Sequence, residues 1–92
     1  MTLFNVTADF EAGAHASDLD DDVEALKDLH VAIFEDAHRA RSYTLTLDAP
    51  NAWSATETAM ARLAEVGAAP SRLLALDVLT TAAFDAREGF DA

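Results

Sequence analysis

The chain has 92 residues and carries 6 lysine and arginine against 17 aspartate and glutamate side chains, so its formal net charge is −11 with histidine neutral. This length allows one domain, residues 1–92, with a small core, and the charge disfavours binding to nucleic-acid backbones and anionic membranes, because both need clustered cations. The absence of cysteine excludes a disulfide scaffold, a thiolate zinc site and a cysteine nucleophile.

The first predicted element is a strand over residues 3–10. Apolar and polar residues alternate strictly there, which is the pattern of a strand with one face buried and the other in solvent. The predicted buried face consists of Phe4, Val6, Ala8 and Phe10. Residues 11–16, which contain Gly13, should form a loop.

A helix should follow, capped by Ser17 or Asp18. Aspartates fill its first turn, where negative charge complements the positive end of the helix dipole. Its apolar residues have helical spacing, which predicts one apolar face and one strongly acidic face. The residues of the predicted apolar face are Leu19, Val23 and Leu26, followed by Leu29 or His30.

Residues 30–36 fit two structures. Val31, Ile33 and Phe34 favour a pleated surface, and the polar residues 38–42 have the length of a hairpin loop. We therefore predict a second strand over residues 30–36. If these residues continue the helix instead, the sheet has three strands and the first helix is long.

The second half of the chain predicts two further strands and two further helices. Residues 42–48 alternate as a strand, and Asn51 or a capping box of Ser54 and Glu57 should begin a helix over residues 54–66. Gly67 is placed for a left-handed C-cap. Residues 72–79 read as a strand with Leu74, Leu76 and Val78 facing the core, and residues 82–88 as a short helix capped by Thr80 or Thr81.

This element order predicts an α+β fold of the ferredoxin-like βαββαβ type, a two-layer sandwich. Its antiparallel sheet carries two main helices on one face, and a short C-terminal helix is added. We also expect another element to pack on the outward-facing residues of the fourth strand, because apolar edge strands are rarely left exposed to solvent. We expect either the terminal helix, with Phe84 and Phe90, or a second copy of the chain to supply that cover.

Several segments resemble small acidic proteins of high-GC actinobacteria and their phages. The similar segments are the strand over residues 43–48, the exit Asp48-Ala49-Pro50, the alanine-rich helix 54–66, and Ala75-Leu76-Asp77-Val78-Leu79-Thr80 with Phe84-Asp85-Ala86-Arg87. The resemblance implies a ferredoxin-like fold and no settled activity, and its phage members imply binding to a host protein. One lysine against five arginines fits a high-GC coding sequence, while the acidity equally fits a halophile.

The acidic run on the first helix and a lone tryptophan are the candidate partner-binding residues. The helix dipole accounts for much of the run; the alternative is a docking surface for a basic partner, or a mimic of nucleic-acid phosphates. The tryptophan fits a lid over the edge of the core better than an exposed anchor, although tryptophan is favoured at binding hot spots. These candidates are Asp18, Asp20, Asp21, Asp22, Glu24, Asp28 and Trp53.

The outer face of the predicted sheet is a second candidate surface. It should be polar, and alternation of an antiparallel sheet in solvent explains this without a ligand. Its residues would include Asn5, Thr7, Thr44 and Thr46, with carboxylates at Asp9, Asp48 and Asp77.

Catalytic, metal and phosphate motifs do not occur in the sequence. His15, His30 and His38 lack metal-ligand spacing, although Glu35 and Asp36 precede His38. Neither a nucleophile elbow nor a glycine-rich phosphate loop is present. The acidic run lacks the central glycine of a calcium loop.

We therefore expect a non-enzymatic acidic protein-interaction module without a cofactor or metal. Its expected partner is a protein, basic in character, and a homodimer through the sheet face or an edge strand is compatible with the sequence. A metabolite-binding sensor that uses the polar sheet face is the alternative, and an enzyme using Asp9 and Asp48 has the least support. Apolar runs stay below the roughly 20 residues of a membrane span, and the first residues lack a signal-peptide pattern. These features favour the cytoplasm, which is the host cytoplasm for a phage protein.

Overall fold

Within residues 2–11, 19–36, 40–68 and 70–88, which the computed structural model describes, the chain forms four strands and three α-helices. In chain order these are β1 (Thr2–Phe10), α1 (Leu19–Ala25), β2 (Ala32–Glu35), β3 (Arg41–Ala49), α2 (Ala52–Glu65), β4 (Leu73–Thr80) and α3 (Thr81–Glu88). Short 3₁₀ turns cover Lys27–Leu29 and Pro70–Arg72. The predicted order of elements is confirmed, including a strand within residues 30–36.

The four strands form one antiparallel sheet in the order β2-β3-β1-β4. The long strands β1 and β3 are central and pair over their full length, from Thr2 opposite Ala49 to Phe10 opposite Arg41. The short β2 and the eight-residue β4 are the edges. The prediction of an α+β fold with an antiparallel sheet is confirmed.

One face of the sheet carries the core and the helices α1 and α2. Alternate residues of β1 and β3 are buried there, and Phe10 meets Tyr43 edge to face with ring centroids 5.8 Å apart. Against them α2 buries a stripe of small and apolar residues at helical spacing. The predicted buried stripe of α2 is confirmed at Ala55, Ala59 and Leu63.

The buried side of α1 differs from the prediction. Leu26 is buried as expected, but Val23 is exposed, and Asp22 takes the inward position one turn before Leu26. Arg62 of α2 donates to both carboxylate oxygens of Asp28 at 2.8 and 2.9 Å and joins α2 to the 3₁₀ turn that follows α1. A polar residue therefore replaces one expected apolar contact.

The C-terminal helix α3 covers the opposite face of the sheet. The Thr81 hydroxyl donates to Oδ1 of Asn5 at 2.6 Å, and Arg87 pairs with Asp77. Both partners point away from the core, since Asn5 lies between core residues of β1 and Asp77 lies opposite Thr7. Of the two covers predicted for the outward residues of β4, the terminal helix is present there, with Phe84 half-buried. Phe90 lies outside the described residues. The two-layer description is wrong, because helices lie on both faces.

The ends of α2 show which of the predicted caps form. Oδ1 of Asn51 accepts the Ser54 backbone N–H at 2.9 Å, so Asn51 is the N-cap and the capping box with Glu57 is wrong. Gly67 has a φ of +85°, and its N–H donates to the carbonyl of Ala64. The predicted left-handed C-cap is therefore confirmed. No helix of the described residues combines the length and apolar character needed to cross a membrane.

Candidate functional site

The acidic residues at the start of α1 do not share one environment. Asp20 and Asp21 are exposed, and neither has an ion pair among the described residues. Asp22 is only 1% exposed and turns toward the sheet. It therefore does not belong to an exposed acidic face, and Asp18 lies outside the described residues.

The remaining acidic candidates on this segment are paired within the chain. Glu24 accepts from the Lys27 ammonium at 2.7 Å, three residues away. The hydrogen bond from Arg62 holds the pKa of Asp28 below its usual value, and the same bond raises the pKa of Arg62. A partner that used either carboxylate would compete with a cation already in place.

Asp22 belongs to a buried polar cluster that joins α1, β2 and β3. Arg41 donates to Asp22 Oδ2 at 2.8 Å, and its Nε and Nη2 donate to Glu35 Oε2 at 3.0 and 2.8 Å. The Tyr43 hydroxyl donates to the same Asp22 oxygen at 2.5 Å. Each charged group thus has an opposite charge beside it, as burial requires.

The pKa values of two groups in this cluster shift for physical reasons. Burial, reinforced by the hydrogen bond to Asp22, raises the pKa of Tyr43 to about 12. Burial of Arg41 acts to lower its pKa, but hydrogen bonds with Tyr43 and Glu35 outweigh it and raise the value above the ordinary one. The cluster therefore holds a neutral phenol and a charged guanidinium, the combination expected of a structural cluster.

Every lysine and arginine in the described part of the chain lies within 4 Å of a carboxylate. Arg72, for example, is 3.0 Å from Glu11 at the loop between β1 and α1. The five paired cations are Lys27, Arg41, Arg62, Arg72 and Arg87. The carboxylates that remain without a described cation give the outer surface its negative charge.

The polar residues of the outer sheet face are paired with one another. Asn5 donates to Thr46 at 3.3 Å, and the hydroxyls of Thr7 and Thr44 are 3.2 Å apart. Because Asn5 also binds Thr81 of α3, it is buried despite its place on this face. These contacts satisfy the polar groups without a ligand.

The carboxylates of this face are not brought together as a catalytic pair. Asp9 lies opposite Ser42, whereas Asp48 lies six residues further along β3. At about 3.4 Å per residue they are roughly 20 Å apart, beyond the separation of about 5–9.5 Å seen in carboxylate pairs such as those of glycosidases. Asp77 is already paired with Arg87.

A register shift places one leucine of β4 on the outer face. Asp9 pairs with Ala75, but Phe10 pairs with Leu73, so β4 carries one extra residue at this point, as in a β-bulge. Leu73 packs against the core, and Leu74 is 64% exposed. The prediction that Leu74 faces inward is wrong for this reason.

Leu74 and Phe34 flank an open groove at one end of the outer face. Phe34, on the edge strand β2, is 69% exposed. The groove has a volume of about 230 Å³, and Asp9 and Ser42 lie between its two apolar walls. The Ser42 hydroxyl donates to Oδ1 of Asp9 at 2.5 Å. The complete lining is Asp9, Phe10, Phe34, Asp36, Ala40, Arg41, Ser42 and Leu74.

Trp53 lies at the other end of the molecule from this groove. It is 72% exposed in the first turn of α2, so its interpretation as a lid over the core is wrong. The helix begins just after the Ala49 end of β3, whereas the groove lies at the Ser42 end. Trp53 and the groove are therefore separate exposed features.

The sequence reasoning missed the groove residues for different reasons. Arg41 lies within the predicted hairpin loop of residues 38–42, although its position continues the alternation of Tyr43 and Leu45. The four-residue strand β2 is too short for alternation to say which side Phe34 faces. The position of Leu74 depends on a bulge that leaves no pattern in the sequence.

Within the described segments, no three His, Cys, Asp or Glu side chains lie together in a way that could hold a metal ion. His30 is exposed at the end of a 3₁₀ turn, with a left-handed φ of 50°. The positions of His15 and His38 lie outside the described residues.

Comparison of the chain with protein-family models, with curated proteins and with solved structures finds no match.

Proposed function

We propose that this chain is a non-enzymatic acidic protein-interaction module that docks a basic protein through the groove on its outer sheet face. The observation that carries the proposal is the pair Phe34 and Leu74, two large apolar side chains that stay exposed on either side of a groove at one end of the outer sheet face. Exposed apolar patches rimmed by polar groups are typical of interaction sites.

The groove has better support as the docking surface than the acidic helix. On α1 and the turn after it, Asp22 is buried, and Glu24 and Asp28 are already bound to cations. Asp20 and Asp21 remain as exposed charges on α1, and Val23 is the one large apolar side chain exposed on this helix. Hot spots of protein interfaces centre on large side chains that lose their water on binding, and the exposed Phe34 and Leu74 supply such side chains at the groove.

A metabolite-binding sensor is the alternative function. The groove volume of about 230 Å³ is below the roughly 300–1,000 Å³ of small-molecule sites. The polar residues Asn5, Thr7, Thr44 and Thr46, which would orient a ligand, are bonded within the protein. Thermal-shift screening against nucleotides, amino acids and metals tests this alternative, and a large stabilisation by one of them would favour it over protein docking.

We further propose that the fold is a modified ferredoxin-like arrangement. The element order and the antiparallel sheet support this assignment. The seven-residue α1 and the added α3 on the second face depart from the classical two-layer form. With the resemblance to small acidic phage proteins, this supports a host protein as the partner and the host cytoplasm as the place of action.

Affinity capture with matched variants tests the docking proposal. The full chain is immobilised and exposed to lysate of a high-GC actinobacterium, and any retained protein is identified, purified and titrated against the free chain. We expect wild type to bind this protein with an affinity that falls as salt is added. The double variant Phe34→Ser, Leu74→Ser should lose it, whereas Trp53→Ser, which removes an equally exposed aromatic ring, should retain it.

A variant of the acidic residues of α1 tests whether that helix, and not the groove, is the docking surface. Loss of binding by Asp20→Asn, Asp21→Asn, together with retention by Phe34→Ser, Leu74→Ser, would transfer the docking site to α1 and contradict the groove. If no purified protein binds wild type with a salt-dependent affinity, the interaction-module function is itself contradicted.

A further inference from the structure

The groove is built as a row of residues across the whole sheet. Phe34 of β2 lies opposite Ser42 of β3, Ser42 lies opposite Asp9 of β1, and Asp9 lies opposite Ala75, next to Leu74. Neighbouring strands are about 4.8 Å apart, so the two apolar walls rise from backbones roughly 14 Å apart. A carboxylate thus lies between an aromatic ring and an aliphatic side chain.

The carboxylate of Asp9 is oriented but retains acceptor capacity. The Ser42 hydroxyl donates to Oδ1 at 2.5 Å, and a carboxylate has about four lone-pair sites. The ion pairs of the described residues do not include Asp9. Asp36 adds a second carboxylate to the lining, and the charge of Arg41 is already held by Asp22 and Glu35 on the core side.

We infer that the groove receives an arginine side chain from an apolar-flanked segment of a partner protein, an inference that rests on the proposed interaction function. The guanidinium binds the Asp9 carboxylate and stacks on the exposed ring of Phe34, while an apolar neighbour of the arginine packs on Leu74. Aromatic faces attract guanidinium groups, and carboxylates bind them through two parallel hydrogen bonds. The groove volume of about 230 Å³ is suited to one large side chain.

Charge and shape favour an arginine of a partner protein over a second copy of this chain and over a lysine. A second copy of the chain would bring another 11 negative charges, and the cations of its described residues are already paired. A lysine offers one point charge and no planar group to stack on Phe34, so it should bind more weakly than arginine.

Titration with a defined peptide tests the inference independently of any natural partner. The probe is the blocked tripeptide acetyl-Leu-Arg-Leu-amide, added to the ¹⁵N-labelled full chain and followed by amide chemical shifts. Its control replaces arginine by citrulline, which has nearly the same shape and no charge. We expect saturable shifts centred on residues 9, 34, 42 and 74, with the citrulline peptide about tenfold weaker or more, because hydrogen bonds to charged groups are the stronger ones.

Protein variants identify the contacts. Asp9→Asn and Phe34→Ala should each weaken the arginine peptide by about tenfold, and Asp48→Asn, an exposed carboxylate at the far end of the same face, should leave it unchanged. The inference is overturned if the citrulline peptide binds as well, if Asp9→Asn binds like wild type, or if no saturable shift appears up to a peptide concentration on the order of 10 mM. A captured partner that is lost by Phe34→Ser, Leu74→Ser but unaffected by Asp9→Asn would overturn the arginine inference and leave the proposed function standing.

Discussion

Arg41 of β3 and Asp22 of α1 form a buried ion pair, with a hydrogen bond of 2.8 Å between Nη1 and Oδ2 and side-chain exposures of 7% and 1%. The pair ties the short first helix to the sheet. Because α1 has seven residues, its own backbone bonds and apolar contacts are few, and isolated helices of that length are not stable. The ion pair is therefore a main contact that holds α1 against the sheet.

Replacement of Asp22 by alanine should destabilise the protein strongly. It leaves Arg41 buried with Glu35 as its remaining described counter-ion and removes the acceptor of the Tyr43 hydroxyl. Breaking a buried pair in this way costs about 3–5 kcal/mol. Urea unfolding measures the loss. Asp20→Ala, which changes an exposed aspartate on the same helix, should stay within about 0.5 kcal/mol, and a similar small effect for Asp22→Ala would contradict the structural role of the pair.

Alkaline pH should weaken the fold through Tyr43, the single tyrosine of the chain. Its pKa is about 12 in the folded protein and about 10 when unfolded. The contribution of this difference to stability is fully present below pH 10 and is lost as the pH rises to 12, because the unfolded chain releases the proton first. The loss is about 2–3 kcal/mol, at 1.36 kcal/mol for each pH unit.

Two measurements check the tyrosine prediction. Phenolate absorbance should show ionisation well above pH 10 in the folded chain, and the free energy of unfolding in urea should fall between pH 10 and 12. In Tyr43→Phe the free energy of unfolding should fall much less between pH 10 and 12. An ordinary tyrosine titration near pH 10 with the fold intact would count against the buried hydrogen bond to Asp22.

The N-cap of α2 should be Asn51 in solution as well. Asn51→Ala removes the side-chain acceptor of the Ser54 N–H and should cost about 1 kcal/mol of stability. Ser54→Ala should change stability by a few tenths of a kcal/mol at most, because this serine contributes its backbone N–H and alanine is the better helix former. Equal losses in urea unfolding would favour the capping box with Glu57 instead.

A side chain at Gly67 should meet no steric obstacle, but it should be disfavoured by the backbone conformation at this position. Its φ is +85°, and an added Cβ would meet nothing within 4 Å. Gly67→Ala should therefore cost about 1–2 kcal/mol, the cost of the left-handed conformation for an ordinary residue. Gly67→Asn, which adopts this conformation more readily, should lose less. A neutral alanine variant would show that the turn relaxes at this position.

The sequence predicted the elements well because their signals are local. Alternation in β1 and β3 identified the strands, and the small residues at helical spacing identified the face of α2. Val31, Ile33 and Phe34 predict a strand within residues 30–36, and β2 confirms it. For the outer face of β4 the sequence left two covers open, the terminal helix or a second copy, since the contact that places α3 there joins Asn5 to Thr81, which are 76 residues apart.

The candidate site was less predictable because tertiary pairing decides it. Asp22 belongs to the same acidic first turn as Asp20 and Asp21, and its burial beside Arg41 depends on how α1 packs against the sheet. Trp53 gave no sign of its exposure. The groove joins four strands, so Phe34 and Leu74 become neighbours of Asp9 through sheet order and one bulge rather than through any motif.

Because every described lysine and arginine is paired within the chain, added salt should have opposite effects on the stability of the fold and on its affinity for a basic partner. Added ions screen the repulsion among the remaining carboxylates, which favours the folded state of a chain with a net charge of −11. The same ions screen the attraction between these carboxylates and a basic partner. At low salt concentration the protein should therefore bind a basic partner most tightly and be least stable itself. At high salt concentration it should bind more weakly and be more stable.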